Sequence, residues 1–195
     1  MTFRIGGVEL RLHWSFWLLL GGVAAAPLHR LVVLGLASAV CHELGHLAAM
    51  AAAGCRPRCL HLSLMGAKLS GRGLPNLKRE LFAIASGPAV NLLLALLFGL
   101  SAQYAPRLFS AMNLVLGGFN LLPVQGMDGG RMLWLLAEHR WGYRRAKRIC
   151  IAVAVVVLVL LLWWSVCLWK KHPRLPSLLL FPLVPAAAFF RWLKD

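Results

Sequence analysis

Long apolar runs separated by short basic segments set the pattern of this chain. Residues 14–28 (WSFWLLLGGVAAAPL) form the first run and 31–53 the second. Residues 81–105 form a third, interrupted by Gly87-Pro88, and 108–127 a fourth, beyond Arg107. Residues 149–169 carry no charge in 21 positions, and 178–193, with Pro182 and Pro185, close the series. A helix needs about 20 apolar residues to cross a bilayer. The pattern therefore predicts an all-α polytopic membrane protein with about six transmembrane helices. The first run also looks like a signal peptide, with Ala24-Ala25-Ala26 as its cleavage site. Pro27 after that cut and a second run from Leu31 favour a retained helix. From Cys59 the period changes. Leu60, Leu62 and Leu64 recur every second residue, Met65-Gly66 provides a turn, and Ala67 to Ser70 can return. This predicts a small membrane-associated β-hairpin after the second helix.

Composition agrees with that pattern. Of 195 residues 60% are apolar and 14% charged, against about 45–50% and 25% in a soluble domain. Mean hydropathy is +0.73. Lys+Arg number 21 against 6 Asp+Glu, a net charge of +15. In a soluble protein that excess would point to nucleic acid. Here no nucleic-acid fold signature accompanies it, so no direct nucleic-acid partner is expected, and the excess is read as loops held against the anionic cytoplasmic leaflet. With six spans, the N-terminus, 54–79, 128–148 and the C-terminal tail share one side and carry 16 of the 21 basic residues. The rule that positive loops stay inside then predicts a multi-pass cell-membrane protein with both termini cytoplasmic. Residues 1–195 are expected to form one domain, with no soluble domain after the last span.

Two acids stand where charge is costly. Placing an Asp near the bilayer centre costs about 2.5–3.5 kcal/mol on insertion scales. Glu43 and Asp128 lie within or at the edge of apolar runs, whereas Glu9, Glu80, Glu138 and Asp195 lie at span ends, in loops or in tails. Glu43 belongs to His42-Glu43-Leu44-Gly45-His46, the pattern H-E-x-x-H. A helix turns about 100° per residue, so His42 and His46 share a face and can ligate one ion. Zinc suits two imidazoles and a carboxylate, with a fourth position left for water. Zinc lowers the pKa of that water to about 7, and Glu43 can take its proton and later pass it to the leaving amine. Asp128 is the preferred third ligand. It closes the fourth run, which is directed like the second, and a bend at Pro123 would let its depth match that of His46. His61, Glu80 and Glu138 are rivals in more solvated segments. The alternative for the triplet is a polar cluster hydrogen-bonded between helices. The five cysteines show no secreted-framework spacing, and Cys55, Cys59 and His61 lack a fourth ligand for a metal cluster. Gly45 permits close helix approach, and Gly87-Pro88 is expected to kink the third span.

His42-Glu43-Leu44-Gly45-His46, Ser86-Gly87-Pro88-Ala89-Val90-Asn91 and Asn120-x-x-Pro123…Asp128-Gly129-Gly130 occur in an order and membrane setting that resembles the site-2 protease family of intramembrane zinc metalloproteases. Compact size and span pattern look most like its bacterial stage IV sporulation branch. The resemblance covers most of residues 5–193, the last 45 or so unspecifically. It implies zinc ligands at His42, His46 and Asp128, a base at Glu43, a membrane hairpin at about 59–70, and Asn120 and Pro123 beside the substrate strand. Two departures stand out: Gly126-Met127 replaces the family's frequent Pro-Leu, and the C-terminal CBS domain that the branch often carries is not expected here.

The expected activity is zinc-dependent hydrolysis of a peptide bond in a membrane-associated regulatory protein, near the cytoplasmic face. By resemblance the substrate would be the precursor of a sporulation sigma factor, and membrane inhibitor proteins would be further partners beside the lipid bilayer. A metal transporter using the same three residues is the alternative of another class, though the chain has no visible inverted repeat. An inactive scaffold of the same fold is a third, and an intact Glu43 argues against it.

Overall fold

The structure, a computed structural model, describes residues 2–5, 8–12, 29–54, 59–63, 66–70, 76–172 and 182–194, the strands by backbone alone. The expected first span at 14–28 lies outside the described residues, as do Met65 of the expected turn, Cys55 of the candidate cysteine cluster and the start of the expected sixth span. The chain divides into two compact units, Met1–Gly118 and Phe119–Asp195.

Among the described residues the first unit holds four strands and three helices. Strands β1 (Thr2–Ile5) and β2 (Val8–Leu12) pair antiparallel, β2 and β3 (Cys59–Ser63) parallel, and β3 and β4 (Gly66–Ser70) antiparallel. The sheet order is β1-β2-β3-β4. β3 and β4 occupy the segment in which the alternating leucines are read as a hairpin. β1 and β2 correct the all-α expectation. Val8, Leu10 and Leu12 alternate with Glu9 and Arg11, a period-two signal that hydropathy over longer windows averages away.

Helix α1 (His29–Ala52) has 24 residues and α2 (Leu77–Gly99) has 23. At 1.5 Å per residue each exceeds the hydrocarbon thickness of about 30 Å. Asn76 caps α2, its side chain accepting from the Lys78 N–H at 3.0 Å, and Glu80 in the first turn complements the helix dipole. Pro88 lies inside α2, which continues through it to Gly99. Helix α3 (Tyr104–Asn120) is tied to α2 by Ser110 Oγ donating to the Ala95 carbonyl at 2.6 Å and by an edge-on Phe98–Phe109 contact.

Burial in this unit is inverted relative to a water-soluble core. Ser38, His42, Asn91 and Asn113 are buried, while Val40, Leu44, Leu93, Leu96 and Leu97 are more than half exposed. Large apolar side chains facing outward and polar ones facing inward is the arrangement a lipid solvent demands. α1 and α2 approach through small residues. A Cβ on Gly45 would stand 2.8 Å from the Ser86 carbonyl oxygen, which confirms the close approach expected at Gly45.

The second unit contains helices α4 (Asp128–Trp141), α5 (Tyr143–Lys171) and α6 (Leu183–Lys194). α4 corrects the reading of 128–148 as a loop. Its charges masked a short helix whose Met132, Leu133 and Leu135 are half-buried. Gly142, at φ +74°, turns the chain from α4 into α5, a conformation open to glycine at no steric cost. Val124, Ala154 and Phe189 form this unit's core, with Ile151, Leu158 and Trp192 packed around them.

Among the described residues three helices are long and apolar enough to cross a membrane: Arg30–Ala52, Leu77–Gly99 and Tyr143–Lys171. Helices of this length and composition make this a multi-pass membrane protein. Among the described residues α3 and α6 are shorter, at 17 and 12 residues. The expected fourth span at 108–127 is also corrected. Its helix stops at Asn120 rather than bending at Pro123, and Asp128 opens a new helix instead of closing the old one.

Candidate metal centre

His42 and His46 lie one turn apart on α1, as the H-E-x-x-H spacing requires. Their Nε2 atoms are 3.1 Å apart and their rings meet edge-on, with centroids 4.7 Å apart. The opposite nitrogens decide what that contact means. His46 Nδ1 lies 2.7 Å from the Ala83 carbonyl oxygen. A carbonyl only accepts, so Nδ1 carries the proton. His42 Nδ1 bonds to Asn91 Oδ1. The Asn91 amide nitrogen is committed elsewhere, donating to the Ser38 carbonyl at 3.2 Å and to Asn113 Oδ1 at 2.7 Å. Asn113 is itself oriented by donating to the Phe109 carbonyl at 2.9 Å. The orientations of both amides, Asn91 and Asn113, are therefore forced, and His42 Nδ1 is also the donor.

With both Nδ1 atoms committed as donors, the two Nε2 atoms face each other. At 3.1 Å that contact calls for a shared cation or for an additional proton on one Nε2. Histidine ligands of a metal ion are held in this way, the outer nitrogen donating to a fixed acceptor while the inner one faces the ion. The pair therefore fits a divalent metal better than a polar cluster, which would need a donor at one Nε2.

Gly87 leaves room for this arrangement. A Cβ there would fall 2.3 Å from His46 Nε2 and 2.5 Å from its Cε1. The glycine of Ser86-Gly87-Pro88 lets the ring lie flush against α2. Glu43 follows His42 on α1 and is half-buried.

Asp128 is the first residue of α4 in the second unit, and its Oδ2 is buried. The turn before it is built almost wholly from main chain. A Cβ on Gly129 would lie 2.1 Å from the Leu121 carbonyl oxygen, and one on Gly130 would lie 2.1 Å from that of Val124. Gln125, buried, donates from Nε2 to the Gly130 carbonyl at 2.9 Å. Only glycines let residues 121–125 fold back against the start of α4. Asn120 ends α3 and Pro123 sits in the turn, both half-buried.

Ser38, Asn91 and Asn113 were not singled out from sequence, and neither was the Ala83 carbonyl. Asn91 stands in a motif quoted for the resemblance but was given no role there. Asn91 and Asn113, like Glu43 and Asp128, are polar groups inside apolar runs, and such groups need partners there. Of the other candidate ligands, Cys59 and His61 are described only as strand backbone, Glu80 lies in the first turn of α2, and Glu138 lies near the end of α4.

Residues 106–161 match Peptidase family M50. A zinc metalloprotease of Methanocaldococcus jannaschii is 28% identical over 82% of this chain and 52% of its own length. Stage IV sporulation protein FB of Bacillus subtilis is 26% identical over 80% of this chain and 57% of its own. The chain thus spans about half the length of the curated relatives it matches. A solved site-2 protease from Methanocaldococcus jannaschii superposes with a TM-score of 0.70, at 24% identity, over 98% of this chain and 94% of that one. The fold is that of the solved protease, and the resemblance read from the three motifs is borne out.

Proposed function

We propose that this chain, a relative of the Peptidase family M50 site-2 proteases, is an intramembrane zinc metalloendopeptidase. The observation that carries the reading is the pair of imidazoles whose Nδ1 protons are fixed outward, so that both Nε2 atoms face one point. With Asp128, the third ligand that the Asp128-Gly129-Gly130 motif implies, they would offer two nitrogen atoms and one carboxylate oxygen, the donor set of a catalytic zinc with an open fourth position. When bound, zinc supplies Lewis acidity to a substrate carbonyl and to a water.

The chain's own residues supply the rest. Glu43, adjacent in sequence to the first ligand, takes a proton from water at a carboxylate oxygen and returns it to the leaving amine. Ala83 and Asn91 hold the rings. Asn120 and Pro123 position the substrate strand, in keeping with the motif that carries them. β4 lies at one end of the sheet order, where an extended peptide can add as a further strand and bring its carbonyl to the site. A helical substrate must unwind to do so, because its amides are otherwise shielded by their own hydrogen bonds.

The finer parts of the reading rest on sequence. Six spans with both termini cytoplasmic follow from the distribution of basic residues. The basic segments 54–79 and 128–148 favour a membrane-associated protein substrate with an acidic or membrane-proximal cytoplasmic segment. The sporulation name of the Bacillus relative supports a regulatory precursor, such as that of a sigma factor, as the substrate class.

The test is co-expression of wild type and Glu43→Gln with candidate membrane-tethered precursors, followed by cleavage assays in detergent. General acid–base catalysis contributes about 10²–10⁴-fold, so Glu43→Gln should lose activity on that scale while retaining zinc. A turnover close to wild type would remove Glu43 from the mechanism.

A further inference from the structure

The two histidines are anchored differently. His46 is held by the main chain, at the Ala83 carbonyl. His42 is held by a side chain, and that side chain is itself held. Asn91 and Asn113 are both fully buried, at 0% exposure. They sit on different helices, α2 and α3, and together with the Ser38 carbonyl of α1 they tie three helices into one hydrogen-bonded chain.

From this geometry we infer that Asn91, oriented by Asn113, is the positioning residue that fixes His42 as the Nδ1–H tautomer and so presents its Nε2 to the metal. The inference rests on the metal-centre reading above and extends it to a residue that touches neither metal nor substrate. The chemistry is specific. An acceptor must face Nδ1, and it must be unable to turn its donor there. A free asparagine could rotate and offer its NH₂ group, which would select the opposite tautomer and place a proton on Nε2, where the metal must bind. Two acceptors on the amide side, Ser38 O and Asn113 Oδ1, prevent that rotation. Gly117 of α3 makes the approach possible, since a Cβ there would lie 2.9 Å from Asn91 Cβ.

Zinc affinity, measured by chelator competition on the full chain in detergent, reads this role without recourse to activity. Loss of an outer partner of a histidine ligand costs about 10–100-fold in metal affinity. Asn91→Leu should weaken zinc binding by that factor. Asn113→Leu, which leaves Asn91 in place but frees its amide, should weaken it by less. In zinc-free protein, ¹⁵N imidazole shifts should report His42 as Nδ1–H in wild type and as mainly Nε2–H in Asn91→Leu. Asn91→Asp keeps an oxygen toward Nδ1 and should restore the wild-type tautomer.

Unchanged zinc affinity in folded Asn91→Leu, judged by helical circular dichroism, would overturn the inference and leave the metal reading standing. Should Asn91→Leu fail to fold, unchanged affinity in Asn113→Leu would overturn it equally. A wild-type chain that binds no zinc in the same assay would overturn both.

Discussion

The surroundings of His42 and His46 and those of Asp128 are built on opposite principles. The histidines sit at a helix–helix contact where side chains do the positioning: Asn91, Asn113 and the approach allowed by Gly45 and Gly87. Asp128 sits at the end of a main-chain turn whose carbonyls at Leu121 and Val124 rest on Gly129 and Gly130. The first arrangement is a polar network inside an apolar scaffold, tunable one hydrogen bond at a time. The second is a steric fit of backbone on backbone, which tolerates almost no change. A site on the first should lose metal affinity before it loses structure, and one on the second should lose both together.

The sharpest break in the second region is Gly130→Ala. Its methyl would lie 2.1 Å from the Val124 carbonyl oxygen and 2.3 Å from its carbon, and neither can swing aside as a side chain would. Overpacking typically costs about 1–3 kcal/mol, and contact with main chain puts this case at the upper end or beyond. Thermal unfolding in detergent should show a lowered midpoint together with lost activity. A normal midpoint would contradict the fit described for the turn.

Gly87→Ala probes the first region and should have a smaller structural effect. The obstacle is a histidine ring, which can yield. Zinc affinity should fall by about tenfold or more, on the scale of a lost ligand partner, while the unfolding midpoint moves little. A large drop in the midpoint with zinc affinity intact would reverse the comparison.

The same contrast explains what could be read from sequence. His42, Glu43 and His46 were legible because helical spacing alone brings i and i+4 together. α1, α2 and α5 were legible because long apolar runs have few alternatives in 195 residues of this composition. Asp128 was legible as a residue type in an unexpected place, but its setting was not. A helix bending at Pro123 was expected, and the chain instead ends one helix at Asn120 and starts another at Asp128. Which carbonyl rests on which glycine is a matter of three-dimensional fit, with no periodic signature. Helix α4 was hidden by its charges, and β1 and β2 by their brevity, since four or five alternating residues weigh little beside a run of twenty apolar ones. Asn91 and Asn113 were visible in principle. Each is a polar residue in an apolar run and thus subject to the rule that such groups need partners.

The two imidazoles of α1 and the carboxylate of Asp128 are proposed to hold one zinc ion. Elemental analysis of purified, detergent-solubilised protein tests it directly, comparing wild type with Asp128→Asn after identical dialysis against a weak chelator. Wild type should carry stoichiometric zinc and Asp128→Asn substantially less, with helical content preserved. Equal zinc in the two proteins would take Asp128 out of the ligand set.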